Sequence, residues 1–477
     1  MKRSHLNLLI AFLTLSTFAI TGLAATNKPV WELAQPLKPV PGAPKYSDVT
    51  ARSLTLRPAN AKDTNDTFRM AQEFHLTRLD WCYGVDRTYA QRAKELKLSI
   101  GSALSANLPD AKGKRDTGRV TDKEGKLRTY KWMADGIWAG CPTAPEFRAA
   151  WLYHATNAVN AGADFIQQDD PHMSTRTTSL CYCSHCTAAF TKYQAQHGTN
   201  ATYEKFQEDA VLTFHKEMHQ QLDKFAGRHV PFSHNSIIGF TSKLDWTAPA
   251  FDFVNAEIEG KHVHPMELAK IAAVRRSSGV PMVFQYRETS VTANRRALAA
   301  IYANGMTMML PWDVYMPDNA PRYFIAKEDI ADLSAFIRAN ANYLDGYEHA
   351  LATGPGLTAY SNLLKLEGGT VNTFAYLRAQ PDKADAPVVI HLVEWADKGK
   401  PCKLLLHKSA LGGDRKFTAR IRLPLPYDAG AHTKAQTTGI FTTLIQETNL
   451  PITTNGDWLT IEVPAVNPWG ILVLKPE

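Results

Sequence analysis

Between residues 51 and 348, short apolar runs of β character alternate with amphipathic helical stretches, and eight such runs can be counted. The runs at 53–57, 76–83, 98–104, 163–168, 230–236, 252–259, 281–286 and 306–310 are predicted strands. Stretches at 64–74, 87–96, 146–160, 186–196, 203–226, 265–277, 293–304 and 327–344 have the spacing of helices. Strands separated by helices cannot pair as hairpins, so the alternation implies a parallel sheet covered by helices. Eight units over this length predict an α/β fold, a closed (β/α)8 barrel. A doubly wound open sheet is the rival, but its Gly-rich phosphate turn after the first strand is missing.

From about Leu351 the helical periodicity disappears. Runs at 388–393, 417–422, 458–463 and 470–474 have β character and are punctuated by Gly, Pro, Asn and Asp. We expect residues 349–477 to form a small antiparallel β-sandwich. At the other end, Lys2 and Arg3 precede a short apolar stretch and the small residues Thr21-Gly-Leu-Ala24. That is the pattern of a secretory signal over residues 1–25, followed by a Pro-rich lead-in at 26–50. A retained membrane anchor is the alternative. No later segment is long and apolar enough to span a bilayer, so a periplasmic or secreted protein is expected. The net charge of +7 is dispersed apart from Lys112-Gly-Lys-Arg115, which reads as a solvated loop and not as a nucleic-acid patch.

Barrel enzymes keep their chemistry at the C-terminal ends of the strands. Carboxyl groups at such ends here are Asp169, Asp170, Glu257, Glu259, Glu288 and Asp313. A pair of carboxyl groups, one a proton donor and one a nucleophile or base, is what cleavage of a glycosidic bond requires. Adjacent strand residues face opposite ways, so only one of Asp169 and Asp170 enters the barrel, and Asp170, next to Pro171, is the favoured one. Glu257 and Glu259 share parity. Glu288 follows Arg287 at the end of the seventh strand, where a structural ion pair is the plainer reading.

Aromatic residues gather at the same predicted rim: Trp81, Tyr83, Trp132, Trp138, Tyr286, Trp312 and Tyr315. As a set they suit stacking on sugar rings, although core packing is the safer reading of any one. Asn107, His172, His234, Asn235 and Arg287 sit at comparable ends and could hold hydroxyl groups. The expected partner is therefore a carbohydrate. Nothing in the sequence defines an oligomer interface, although barrels of this kind often associate.

Cys181, Cys183 and Cys186 form a C-x-C-x-x-C trio leading into a helix, and Cys141 lies in the insertion before the fourth strand. Four thiolates would make a closed structural zinc site. Disulfides, favoured by export to an oxidising compartment, and free thiols remain open. Cys82 and Cys402 read as isolated core residues.

A cysteine before the fourth strand and C-x-C-x-x-C after it resembles the family 42 β-galactosidases and their divergent bacterial relatives. The resemblance covers roughly residues 50–345 and is carried mainly by the cysteines. The terminal Asn467-Pro-Trp-Gly-Ile-Leu472 also resembles the β-rich end of such enzymes. It implies a structural zinc on Cys141, Cys181, Cys183 and Cys186. It also implies an acid/base on the fourth strand and a nucleophile on the seventh. The family carries Asn-Glu where this chain has Asp169-Asp170, a departure that shortens the carboxyl side chain. Two other readings follow. One is an inactive carbohydrate-binding barrel. The other is a metal-dependent hydrolase using His172, Asp169, Asp170 and His234, with no H-E-x-x-H spacing behind it.

Overall fold

A computed structural model describes residues 28–52, 61–130, 136–173, 180–237, 246–258, 260, 263–286, 288, 290–310, 312–313, 323–324, 326–359 and 361–477. Side chains are described at these positions except 61–66, 236–237, 277, 312–313 and 323–324. The signal segment, Trp132, Glu259, Arg287 and Tyr315 lie outside the described residues. Trp312 and Asp313 are placed only as backbone.

Eight parallel strands close into a barrel in chain order. They are β1 (Thr50–Arg52), β2 (Arg78–Cys82), β3 (Ser99–Leu104), β4 (Phe165–Gln168), β5 (Phe232–Ile237), β6 (Phe253–Ile258), β7 (Met282–Tyr286) and β8 (Thr307–Leu310). The expected run at 53–57 lies outside the described residues. Thr50 and Arg52 carry inward side chains, on Asp80 of β2 (2.5 Å) and Gln285 of β7 (3.3 Å), and β1 pairs along its backbone with β2 and β8.

A short α1 (Val30–Leu33) precedes the barrel, and the outer layer comprises α2 (Ala61–Glu73), α3 (Arg87–Glu95), α4 (Pro145–Ala161), α5 (Ser184–His197), α6 (Tyr203–Ala226), α7 (Pro265–Ser278), α8 (Val291–Ala303) and α9 (Lys327–Ala339). Helix α4 begins at a tolerated first-turn proline and ends at Gly162, whose left-handed φ of +118° closes it. The predicted helix at 327–344 breaks at Asn340 into α9 and α10 (Ala341–Leu344). No described helix is long and apolar enough to cross a membrane.

Trp81, Ala103, Phe165, Phe253, Val283 and Met309 pack into one cluster inside the barrel. Arg78 lies over the rings of Phe165 (4.2 Å) and Phe253 (5.5 Å), with its charge met by Asp80 at 2.8 Å. Gly101 is required beside this cluster, because a Cβ there would fall 2.0 Å from the Phe165 ring.

A two-stranded pair, β9 (Trp312–Asp313) and β10 (Tyr323–Phe324), follows β8. The C-terminal part is an antiparallel sandwich. One sheet has six strands: β11 (Glu348–Thr353), β13 (Thr373–Ala379), β14 (Val388–Glu394), β20 (Trp469–Pro476), β16 (Phe417–Pro424) and β17 (Ile445–Leu450). The other has four: β12 (Leu364–Gly368), β15 (Cys402–His407), β19 (Trp458–Val463) and β18 (Ile452–Asn455). Apolar residues of β11, β13, β14, β16 and β20 pack against those of β12, β15 and β19 to make its core. A helix absent from the sequence expectation, α11 (Ala429–Thr438), returns to touch α2. The barrel and sandwich share buried surface: Trp469 packs against Tyr302 and Phe336, at 6.0 and 5.0 Å.

Candidate active site

Strands β4 and β6 carry a repeated cross-barrel pairing. Near the base, the rings of Phe165 and Phe253 meet edge to face at 5.8 Å. One step up, the Asn255 amide donates to Gln167 Oε1 at 2.6 Å. Two residues further along come Asp169, just past the end of β4, and Glu257 of β6. Side chains of alternate strands share layers in such barrels, so these two carboxyl groups share the top layer of the barrel. The layer beneath is polar: Arg52, Gln167, Ser233, Asn255 and Gln285 are buried and linked in part by hydrogen bonds. Apolar packing at the base and polar groups above give the barrel a polar mouth.

Asp169 is oriented by three donors. The Tyr83 hydroxyl donates to Oδ2, the Asn235 amide to Oδ1 at 3.0 Å, and the Asp170 backbone N–H to Oδ1 at 3.2 Å. The Trp81 indole N–H donates to Tyr83 at 2.9 Å, and Arg52 stacks over the Trp81 ring at 4.2 Å. From outside the barrel wall, Trp151 of α4 donates to Gln168 (2.7 Å), and Gln168 donates to the Asp169 carbonyl (2.6 Å). The strand end is therefore tied on both faces.

The geometry here depends on unusual backbone. Trp81 has φ +57°, within a register shift between Leu79 and Cys82. The bulge turns both Asp80 and Trp81 inward, against the ordinary alternation. Asp170 has φ +54° and Met173 φ +47°. Non-glycine residues in that region cost of order 1–3 kcal/mol each, and such strain gathers at functional sites. Asp170 has therefore left the strand path just as Asp169 points inward. The sequence favoured Asp170, but the residue brought to Tyr83 and Asn235 is Asp169. Burial first, then the charges of Asp170 and Asp169, push the Tyr130 phenol well above its usual range.

Other expected site residues fall in different places. Glu257 is half-buried on the inward face. Asn107 lies at the end of β3, held by Ser105 on the rim. His172 is half-buried against Trp246, with ring centroids 5.7 Å apart. His234 lies outside the barrel wall, fully buried and stacked on Phe251 at 4.6 Å. Strand alternation separates it from Asn235, so it does not join Asp169 on the inner face, and the proposed His–Asp metal set does not assemble. Trp81 is buried under Arg52 and supports Tyr83 instead of offering an open stacking face. Tyr286 faces outward and is buried, its phenol pushed up to about 12 by burial and by Glu288. Glu288 accepts the Ser290 N–H at 3.1 Å at the start of α8, and its expected partner Arg287 lies outside the described residues. Sequence reading missed the roles of Arg52, Gln167, Asn255 and Gln285. Buried polar residues on inward strand positions were the available signal.

Cys141, Cys181, Cys183 and Cys186 come together beside this rim, with ligand atoms all within 4.8 Å of one another. Cys141 Sγ lies 3.6 Å from Cys183 and 3.4 Å from Cys186, and all four are free thiols. Sulfur atoms 2.3 Å from a tetrahedral ion would be about 3.8 Å apart, so the cluster could hold a metal ion. Shared thiol hydrogen bonds push Cys183 down, chiefly through Cys141, and Cys141 up. The cluster joins the insertion after β3 to the segment between β4 and α5. Tyr203 reinforces it by donating to the Cys181 carbonyl at 2.6 Å and stacking on Tyr182 at 4.7 Å.

No protein-family model and no curated protein matches the sequence. Among solved structures, the chain is similar to the GH36 α-galactosidase AgaA of Geobacillus stearothermophilus, with TM-score 0.50 and 11% identity, over 90% of this chain and 55% of that one. It is also similar to a GH27 β-L-arabinopyranosidase of the same organism, with TM-score 0.47 and 8% identity, over 94% and 97% of the two chains. A third is α-L-fucosidase isoenzyme 2 of Paenibacillus thiaminolyticus, with TM-score 0.46 and 10% identity, over 91% and 100%. All three are glycoside hydrolases. At these identities the likeness is one of fold and does not single out family 42.

Proposed function

We propose that this chain is an exported glycoside hydrolase that uses Asp169 and Glu257 as its carboxyl pair. The observation that carries the reading is the meeting of Phe165 with Phe253 and of Gln167 with Asn255 across the barrel, from which we infer that Asp169 and Glu257, two residues further on, face each other at the polar mouth. Asp169, fixed by Tyr83 and Asn235, is placed to meet the anomeric centre or its attacking water. Glu257, two strands away, is placed to protonate the leaving oxygen. Glycoside hydrolases among the fold neighbours support the reaction class, and the N-terminal residues support export. The four cysteines would hold a structural zinc ion, which braces the rim without entering the reaction.

The test is hydrolysis of a panel of aryl glycosides and plant or algal oligosaccharides. Asp169→Asn and Glu257→Gln should each lose at least about 10²-fold in kcat/KM, the scale of a positioned acid or base. Asp170→Asn and Glu288→Gln should keep most of the activity. Sugar release that survives Asp169→Asn would overturn the assignment. Binding of a sugar with no cleavage by the wild type would replace it with the inactive-barrel reading.

A further inference from the structure

At the opposite, N-terminal end of the barrel lies a second group of metal-type donors, made by His219, Asp223 and His229. His219 and Asp223 are one turn apart on α6, so they share a helix face. His229 lies in the loop between α6 and β5. Asp252, immediately before β6, stands beside the group. His219 Nε2 is 3.5 Å from Asp223 Oδ1 and 3.7 Å from Asp252 Oδ2. His229 reaches the same two carboxylates, Nδ1 at 3.0 Å from Asp223 and Nε2 at 3.1 Å from Asp252. The Val230 carbonyl oxygen is 2.8 Å from His219 Nε2.

We propose that His219, Asp223 and His229 form a second divalent-metal site, with nitrogen and oxygen donors, distinct from the four-cysteine cluster. Donors 2.0–2.2 Å from one tetrahedral ion are about 3.4 Å apart, and His219 Nε2 and His229 Nδ1 lie 3.5 and 3.0 Å from the Asp223 carboxylate. Two imidazoles and one carboxylate suit borderline ions such as Zn²⁺, Co²⁺ or Ni²⁺, leaving the fourth position to water, while Asp252, on the other ring nitrogen of His229, orients that imidazole. The carboxylates are already oriented by backbone: Asp223 Oδ1 accepts the Val230 N–H at 2.8 Å, and Asp252 Oδ2 accepts the Phe232 N–H at 2.9 Å. Such outer hydrogen bonds are what hold metal ligands in place. The side chains keep between 14% and 34% exposure, so an ion can enter from solvent. Bound there, it would tie the end of α6 to the starts of β5 and β6. The site lies away from the strand ends that carry Asp169, so it stands or falls independently of the glycosidase reading.

The experiment is equilibrium dialysis of the full-length protein against micromolar Zn²⁺, with bound metal counted by mass spectrometry. Wild type, Cys183→Ser, His229→Gln and His219→Gln are compared. The expected result is that His229→Gln and His219→Gln each bind one equivalent fewer than wild type, while Cys183→Ser retains the equivalent they lose. Co²⁺ bound to Cys183→Ser should show visible d–d bands without the near-ultraviolet thiolate charge-transfer band. Zn²⁺ should raise the Tm of Cys183→Ser and leave that of the double variant with His229→Gln unchanged. Two histidine variants that bind as much Zn²⁺ as wild type would overturn the proposal. In that case His229 is a hydrogen-bonded latch between two carboxylates.

Discussion

The hydroxyl of Tyr83 is the contact on which the candidate site turns most directly, because it reaches Asp169 and is itself held by Trp81. A hydrogen bond to a charged group contributes roughly 1.5–3 kcal/mol. Tyr83→Phe should therefore lower kcat/KM about 10- to 100-fold while leaving the Tm within a few degrees of wild type. A Tm loss that accounts for the whole activity loss would reduce Tyr83 to a packing residue. His75 makes a second residue-scale prediction. Its ring is buried, bonded to Gln436 and His432 at 2.8 Å each, and burial chiefly pulls its pKa from 6.5 down to about 4. Above pH 6.5 the folded and unfolded chains both carry it neutral, and its contribution to stability is complete. Between pH 6.5 and 4 the unfolded chain binds the proton first, so stability falls with pH, by up to ~3 kcal/mol, and levels off below 4. The slope of Tm against pH in that window should be shallower in His75→Gln. An unchanged slope would assign the acid sensitivity to other groups, such as the buried His215, lowered to about 3 chiefly by burial.

Elements, not single residues, decide how the rim is held. Among the described residues, the insertion after β3 and the segment entering α5 share no strand pairing and meet through the cysteine cluster and Tyr182, whose N–H donates to the Thr121 carbonyl at 2.8 Å. If the cluster holds zinc, a strong chelator should lower the Tm and raise amide exchange in residues 118–144 and 181–197, with little change in the sandwich. Cys183→Ser should do the same without chelator. Uniform exchange across the chain after chelation would argue that the ion supports the global fold instead of this rim.

At the scale of the molecule, barrel and sandwich are joined through a buried charge network. Arg275 of α7 meets Glu348 of β11 at 3.0 Å, and Tyr46 donates to Glu348 at 2.8 Å while accepting from Arg275. Arg378 lies over the Tyr46 ring at 4.4 Å. Arg275 is fully buried, so Glu348→Ala would leave an uncompensated charge inside and cost about 3–5 kcal/mol. Thermal denaturation should show a Tm several degrees lower. A split into two transitions would show that the two parts unfold separately once the seam is broken.

Much of the barrel was legible in the sequence because a strand buried on both faces, followed by an amphipathic helix, leaves a periodic record. The clustering of Cys141 with Cys181, Cys183 and Cys186 was legible too, since closely spaced thiols need only one long-range contact to gather. In the sandwich, β11 and β13 were passed over: Glu348 and Arg378 are charged, and only the seam makes their burial favourable. The carboxyl pair shows the division most clearly. Sequence alone put acids at strand ends. Which of Asp169 and Asp170 turns inward depended on the left-handed backbone at Asp170. Which partner Asp169 shares a layer with depended on the stagger of β4 against β6. Both are properties of the closed barrel, where inter-strand register and not chain distance decides which side chains meet.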